Sequence, residues 1–289
     1  MGGKNIFNKI IFFFITKIII GIAAIAGAVL LIESALRPLL EKINISDELI
    51  NGIVGISEAL AAVLIYIFLF SFYEKRKITE LSPSTFGGNA NLGFFTGFLL
   101  QSLFIFVIFI AGDYTIVRVN AFSEMIPSLI MALTAGFVAE IIIIGIVFRL
   151  IEKQFGTGIS ITIMIIIFII AHSGVKDGNI ISVLSTSINA GFLLPAAFVF
   201  SRSLWLPIFM HFAWDFTEPG IYGAINPSIS ITKSLFESKI SGPRLITGGP
   251  LGPQNSIQAL IICLVLGFIF LRLAKKKNNI IPLNTSVRV

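Results

Sequence analysis

Apolar residues in this chain run in long blocks rather than alternating with polar ones. Eight such stretches stand out, at roughly 10–32, 52–72, 92–112, 127–149, 158–173, 180–200, 203–221 and 255–273. A helix needs about 20 predominantly apolar residues to cross a bilayer, so each block predicts a transmembrane helix. The fifth is short by this measure, and the sixth and seventh nearly touch. The predicted fold class is all-α, a polytopic integral membrane helix bundle of about eight transmembrane helices. Inside hydrocarbon every backbone polar group must be satisfied internally, so no strand of consequence is expected. Within the first block, Ala24-Ile25-Ala26-Gly27-Ala28 has the look of a signal-peptide cleavage site. The block is too long for a signal peptide and Lys17 interrupts it, so it reads as a retained span.

Composition removes the other classes. The 289 residues are 56% hydrophobic and 12% charged, with mean hydropathy +0.97. A soluble domain carries roughly 25% charged residues, so a free-standing soluble globule lacks the polar surface it would need. Disorder fails too, because 28 Phe and long Ile runs demand burial. The net charge of +6 reads as loop charge against anionic lipid. No folded polar face exists to carry a nucleic-acid patch. Cys263 is the single cysteine, so no intrachain disulfide forms.

Loop cations set an expected orientation. With the N-terminus inside, one side holds Lys4, Lys9, Lys75, Arg76, Lys77, Arg149, Lys153, Arg202, Arg272, Lys275, Lys276, Lys277 and Arg288. The other holds Arg37, Lys42, Arg118, Lys176, Lys233, Lys239 and Arg244. Thirteen against seven places both termini in the cytoplasm. The chain then divides into three N-terminal spans (1–126), a five-span core (127–273) and a cytoplasmic basic tail (274–289). Residues 222–254, rich in Gly, Pro and Ser, are placed to cap or gate the outer mouth.

Ionisable groups inside a bilayer are costly and usually functional. Both histidines, His172 and His211, fall at or within apolar blocks. Asp215 follows His211 by four residues, which puts both on one helix face. Glu140 lies mid-block between Ala-Gly-Phe-Val-Ala and Ile-Ile-Ile-Ile, and Glu58 lies early in the second block. Taken singly, each has an ordinary structural reading: a hydrogen-bonded packing histidine, a helix-end carboxylate facing water, a near-surface Glu58. Their concentration on the fourth to seventh blocks argues for a site. Imidazole and carboxylate together bind a divalent metal such as zinc or move a proton. His172 and His211 are the candidate metal ligands and with Asp215 make a minimal metal set, where zinc catalytic sites typically use three protein ligands plus water.

The order of these residues resembles the CPBP family of CAAX-protease and bacteriocin-processing membrane endopeptidases. Ala139-Glu140-Ile141-Ile142-Ile143-Ile144-Gly145 aligns with its E-E-x-x-x-R-G motif, Phe168 to His172 with F-x-x-x-H, and His211 to Asp215 with H-x-x-x-N/D. Leu245 to Pro253 is similar to a segment common in bacterial members. The resemblance implies a bacterial plasma-membrane endopeptidase acting on hydrophobic or membrane-anchored peptides, with Glu140, His172, His211 and Asp215 as its site. Two positions depart from the motif. Ala139 stands where the family has the glutamate thought to activate water, and Ile144 stands where it has an arginine. Three functions follow from these residues: an endopeptidase impaired by those losses, an inactive relative serving as a binding or immunity scaffold, or a small transporter using Glu140 and Glu58.

Overall fold

The computed structural model describes residues 13–224 and 233–283. Lys4, Lys9 and Arg288, counted in the orientation, lie outside the described residues. Eight apolar helical stretches follow one another: α1 (Phe14–Glu41), α2 (Asp47–Glu74), α3 (Pro83–Ile110), α4 (Phe122–Phe155), α5 (Thr157–His172), α6 (Ile180–Ser201), α7 (Trp205–Phe216) and α8 (Ile257–Lys276). Six of them, all but α5 and α7, are long and apolar enough to cross a membrane. At 1.5 Å per residue, the 16 residues of α5 reach about 24 Å, short of a hydrocarbon core of about 30 Å. α7 has 12 residues and continues through a π-helical turn at Thr217–Ile221. The two shortest helices therefore carry the two histidines.

Local signals fix where the helices begin. Ser46 caps α2 by accepting from the Leu49 N–H, and Asp47 and Glu48 follow in the first turn, where carboxylates suit the helix dipole. Asn179 and Ser182 form a reciprocal capping box on α6. Ser256 caps α8.

α7 is the buried axis of the bundle, with Leu206, Ile208, Met210 and Ala213 fully enclosed. Glycines let its neighbours approach to backbone contact. A Cβ on Gly93 or Gly97 of α3 would strike the Leu206 or Met210 carbonyl oxygen, and one on Gly136 of α4 would lie 3.0 Å from the Ile208 oxygen. Gly93 and Gly97 form the small-xxx-small spacing by which membrane helices pack closely.

Two loops pair as an antiparallel ribbon, β1 (Tyr114–Val119) with β2 (Phe236–Ile240), Tyr114 opposite Ile240. This is more strand than the apolar pattern predicts. It is permitted because the ribbon lies between helix ends, where water can satisfy its open edges. The described part of the basic tail also differs from a free extension. Asn279 donates to the Phe200 carbonyl at 3.0 Å, and the Ile281 N–H donates to Thr157 at 2.9 Å. Residues 279–281 are thus strapped across the ends of α5 and α6.

At the end of the bundle formed by the α2–α3 loop, charges are buried in pairs. Arg149 reaches Glu74 at 2.5 Å, Arg76 reaches Glu80 at 2.7 Å, and Arg202 reaches Glu152 at 2.5 Å. Burial alone would raise the Glu80 carboxyl. Hydrogen bonds from Arg76 and Tyr66 and the charge of Arg149 outweigh it and hold Glu80 at about 2, below its usual 4.5. A depressed carboxylate stabilises the fold above its unfolded value and loses that contribution as pH falls toward the folded one. Thermal unfolding should therefore weaken by a few kcal/mol between about pH 4.5 and pH 2. Glu80→Gln should flatten that slope; an unchanged slope would refute the assignment.

Candidate functional site

Glu140 ends the regular part of α4 and is fully buried. Immediately after it the helix widens into a π-helical stretch, Ile141–Phe148. Similar stretches at Asn189–Leu193 and Thr217–Ile221 interrupt α6 and follow α7. π-helical insertions re-aim side chains and recur at functional sites; Ile143 of the first and Asn189 and Leu193 of the second line one cavity, whereas a further stretch, Ile32–Leu36 in α1, lies elsewhere.

The four expected residues line one cavity of about 170 Å³, together with Ile143, Thr186, Asn189, Trp214 and Gln254. Three of them touch. His211 Nδ1 lies 2.7 Å from Glu140 Oε1, and His211 Nε2 lies 3.2 Å from Asp215 Oδ2. Both ring nitrogens are therefore engaged by carboxylates. The second oxygen of Glu140 is buried without a hydrogen-bond partner among the described residues.

His172 stands apart from this chain of contacts. It closes α5, stacked on Phe168 with the rings 16° from parallel, and its Nδ1 lies 3.0 Å from the Phe168 carbonyl oxygen. A carbonyl oxygen can only accept, so Nδ1 carries the hydrogen and the neutral ring keeps its lone pair on Nε2. A second cavity of about 200 Å³ adjoins the first, lined by His172, Val175, Ser182, Val183, Thr186, Leu251, Gln254 and Asn255. His172, Thr186 and Gln254 line both.

The pairing of His172 with His211 as metal ligands does not fit this geometry. A ligating imidazole needs a free lone pair, and His211 has none while it bridges Glu140 and Asp215. Among the described residues no group of three or more His, Cys, Asp or Glu is arranged to hold a metal ion. Nor does Glu58 join the site. It is buried on α2 beside another cavity, lined by Glu33, Arg37, Asn51 and Thr134.

Uncharged amides also build the site. Gln254 accepts from the Trp214 indole at 2.9 Å through Oε1, and its carbonyl accepts from Ser185 at 2.7 Å and Asn189 at 3.1 Å. Its N–H donates to Glu218 at 3.1 Å. Glu218 and Asn189 both lie within apolar blocks, so the rule that intramembrane polar groups need a reason would have found them. Gln254 gave no such signal in its Gly- and Pro-rich segment.

Residues 121–217, the stretch that builds Glu140, His172, His211 and Asp215, match the family described as Type II CAAX prenyl endopeptidase Rce1-like. Over those residues the chain is similar to the CAAX-protease family. The match covers about a third of the chain and stops short of Gln254 and α8. No curated protein and no solved structure matches the chain. Within the matched stretch, Ala139 is partly exposed and Ile144 is completely buried in the main apolar cluster. Ile144 is thus held by packing alone.

Proposed function

We propose that the protein is an intramembrane endopeptidase that hydrolyses membrane-associated peptides, with His172 as its base. The observation that carries this reading is the Nε2 of His172, which has no hydrogen-bond partner among the described residues, on a ring that lines one cavity with Glu140. In the proposed reaction Nε2 takes a proton from water as the water oxygen bonds to the peptide carbonyl carbon. Glu140 accepts the other hydrogen of that water and holds it in place. His211 and Asp215 fix the Glu140 carboxylate in turn. When the carbon–nitrogen bond breaks, His172 returns the proton to the leaving amine, giving a carboxylic acid and an amine. With no carboxylate at position 139, the base acts without the acidic partner that the resemblance implies, and turnover is slow.

One observation favours a second reading. Ile144 is completely buried in the apolar cluster at the position where the resemblance places an arginine, as in a relative that binds peptides without cutting them.

The two readings separate in one experiment. The purified protein in nanodiscs is incubated with a pool of lipid-anchored peptides, and products are identified by mass spectrometry. Slow cleavage is expected. It should fall at least about 100-fold in His172→Ala and in Glu140→Gln, the scale of general acid–base contributions. Retention of peptides without any cleavage would establish the binding reading in its place.

A further inference from the structure

The proposed reaction leaves a negative oxygen that needs a donor opposite the base. When water adds to a peptide carbonyl, the carbonyl electron pair moves onto oxygen, and a donor aimed at that oxygen is usually the largest single stabilising element. His211 is unavailable, because both its nitrogens face carboxylates at 2.7 and 3.2 Å. Thr186 spends its hydroxyl hydrogen on Asn255 Oδ1 at 2.7 Å. Asn189 gives a side-chain hydrogen to the Gln254 carbonyl at 3.1 Å.

Gln254 differs. The Trp214 indole N–H can only donate, and it donates to Gln254 Oε1 at 2.9 Å. That contact fixes which way the side-chain amide faces: oxygen toward Trp214, NH₂ away from it. The backbone of Gln254 is pinned independently by Glu218, Ser185 and Asn189. An amide held at both ends is preorganised, as a transition-state donor must be. Its position also fits, since Gln254 and His172 both line the two adjoining cavities.

We propose that Gln254 Nε2 is the oxyanion donor of this site, binding the scissile carbonyl oxygen where the two cavities meet. The substrate carbonyl then lies between the lone pair of His172 and the NH₂ of Gln254. The inference deepens the endopeptidase reading and rests on it, but the contact can be observed without turnover.

Gln254→Glu keeps an oxygen for Trp214 and the shape of the side chain while removing both amide hydrogens. It should lower kcat by about 10²–10³, the cost of losing one such donor, and leave KM within a few-fold. Gln254→Asn, which shortens the reach, should fall between. The second readout is isotope-edited infrared spectroscopy in the His172→Ala background, with a lipid-anchored peptide labelled with ¹³C at one carbonyl at a time. One bound carbonyl should absorb at lower frequency than the free peptide, and Gln254→Leu should return it. If the protein retains peptides but cuts none, that shift still supports the contact while the endopeptidase reading fails. An unshifted carbonyl, or Gln254→Glu with unchanged kcat, overturns the proposal. A peptide pool neither cut nor retained overturns both.

Discussion

Gly97→Leu should leave almost no folded protein, whereas Gly87→Ala should be tolerated. The contrast follows from what each new side chain meets. At Gly97 even a Cβ runs into the Met210 carbonyl oxygen and the Ala213 side chain, and at Gly87 nothing lies within 4 Å. Overpacking a core costs about 1–3 kcal/mol when side chains can yield. Here the obstacle is backbone, so α3 must move away from α7 along its length. Gly93 meets the Leu206 backbone on the same face, so no sliding of one helix along the other relieves both. Met210 precedes His211, so any partial accommodation disturbs the Glu140–His211–Asp215 contacts first. Size-exclusion chromatography and thermal unfolding of the two variants provide the check. Equal stability would show that the close α3–α7 approach is wrong.

Arg149→Ala should be the second most damaging change. The guanidinium holds Glu74 at 2.5 Å, lies over the Phe70 ring at 4.9 Å, and adds its charge to Glu80. Removing one partner of a buried ion pair typically costs about 3–5 kcal/mol, because the other charge is left in low dielectric. The Glu74 side chain is only 1% exposed; Arg76 at 2.8 Å and Lys153 at 3.0 Å also reach it, but they are 31% and 64% exposed and worth less. Arg149→Ala combined with Glu74→Gln should recover much of the loss, since the orphaned charge is then gone. If the single variant unfolds within about 1 kcal/mol of the parent by chemical denaturation, the network is ornamental.

Much of this architecture is legible in the sequence, for physical reasons. Hydrocarbon imposes a minimum apolar length, so the helices announce themselves as blocks, and charge inside a block is rare enough to mark Glu140, His211 and Asp215. The boundaries of α5 and α7 were less legible because both helices are too short to be defined by length. Period reading also misses π-helical turns, which depend on packing against neighbours; nothing in Ile141–Phe148 distinguishes a widened helix from a regular one. The Gly93–Gly97 face escaped notice because glycine's role there lies in what approaches it, and the approach is made by α7, more than 100 residues later. Amides such as Gln254 and Asn189 carry no charge to betray them. His172 was legible as a residue but not in its role: that role depends on the Phe168 carbonyl taking one nitrogen and leaving the other bare.

That bare nitrogen is the centre of the account, and chemical rescue tests it most directly. His172 lines the second cavity, of about 200 Å³, so removing its ring leaves room for a free imidazole to enter. Cleavage of a lipid-anchored peptide by His172→Ala is measured with and without added imidazole, alongside His211→Ala. Imidazole should restore a measurable part of the rate to His172→Ala and none to His211→Ala, because the His211 ring is clamped between two carboxylates. Rescue of His211→Ala instead, or cleavage that survives in His172→Ala without imidazole, would contradict it.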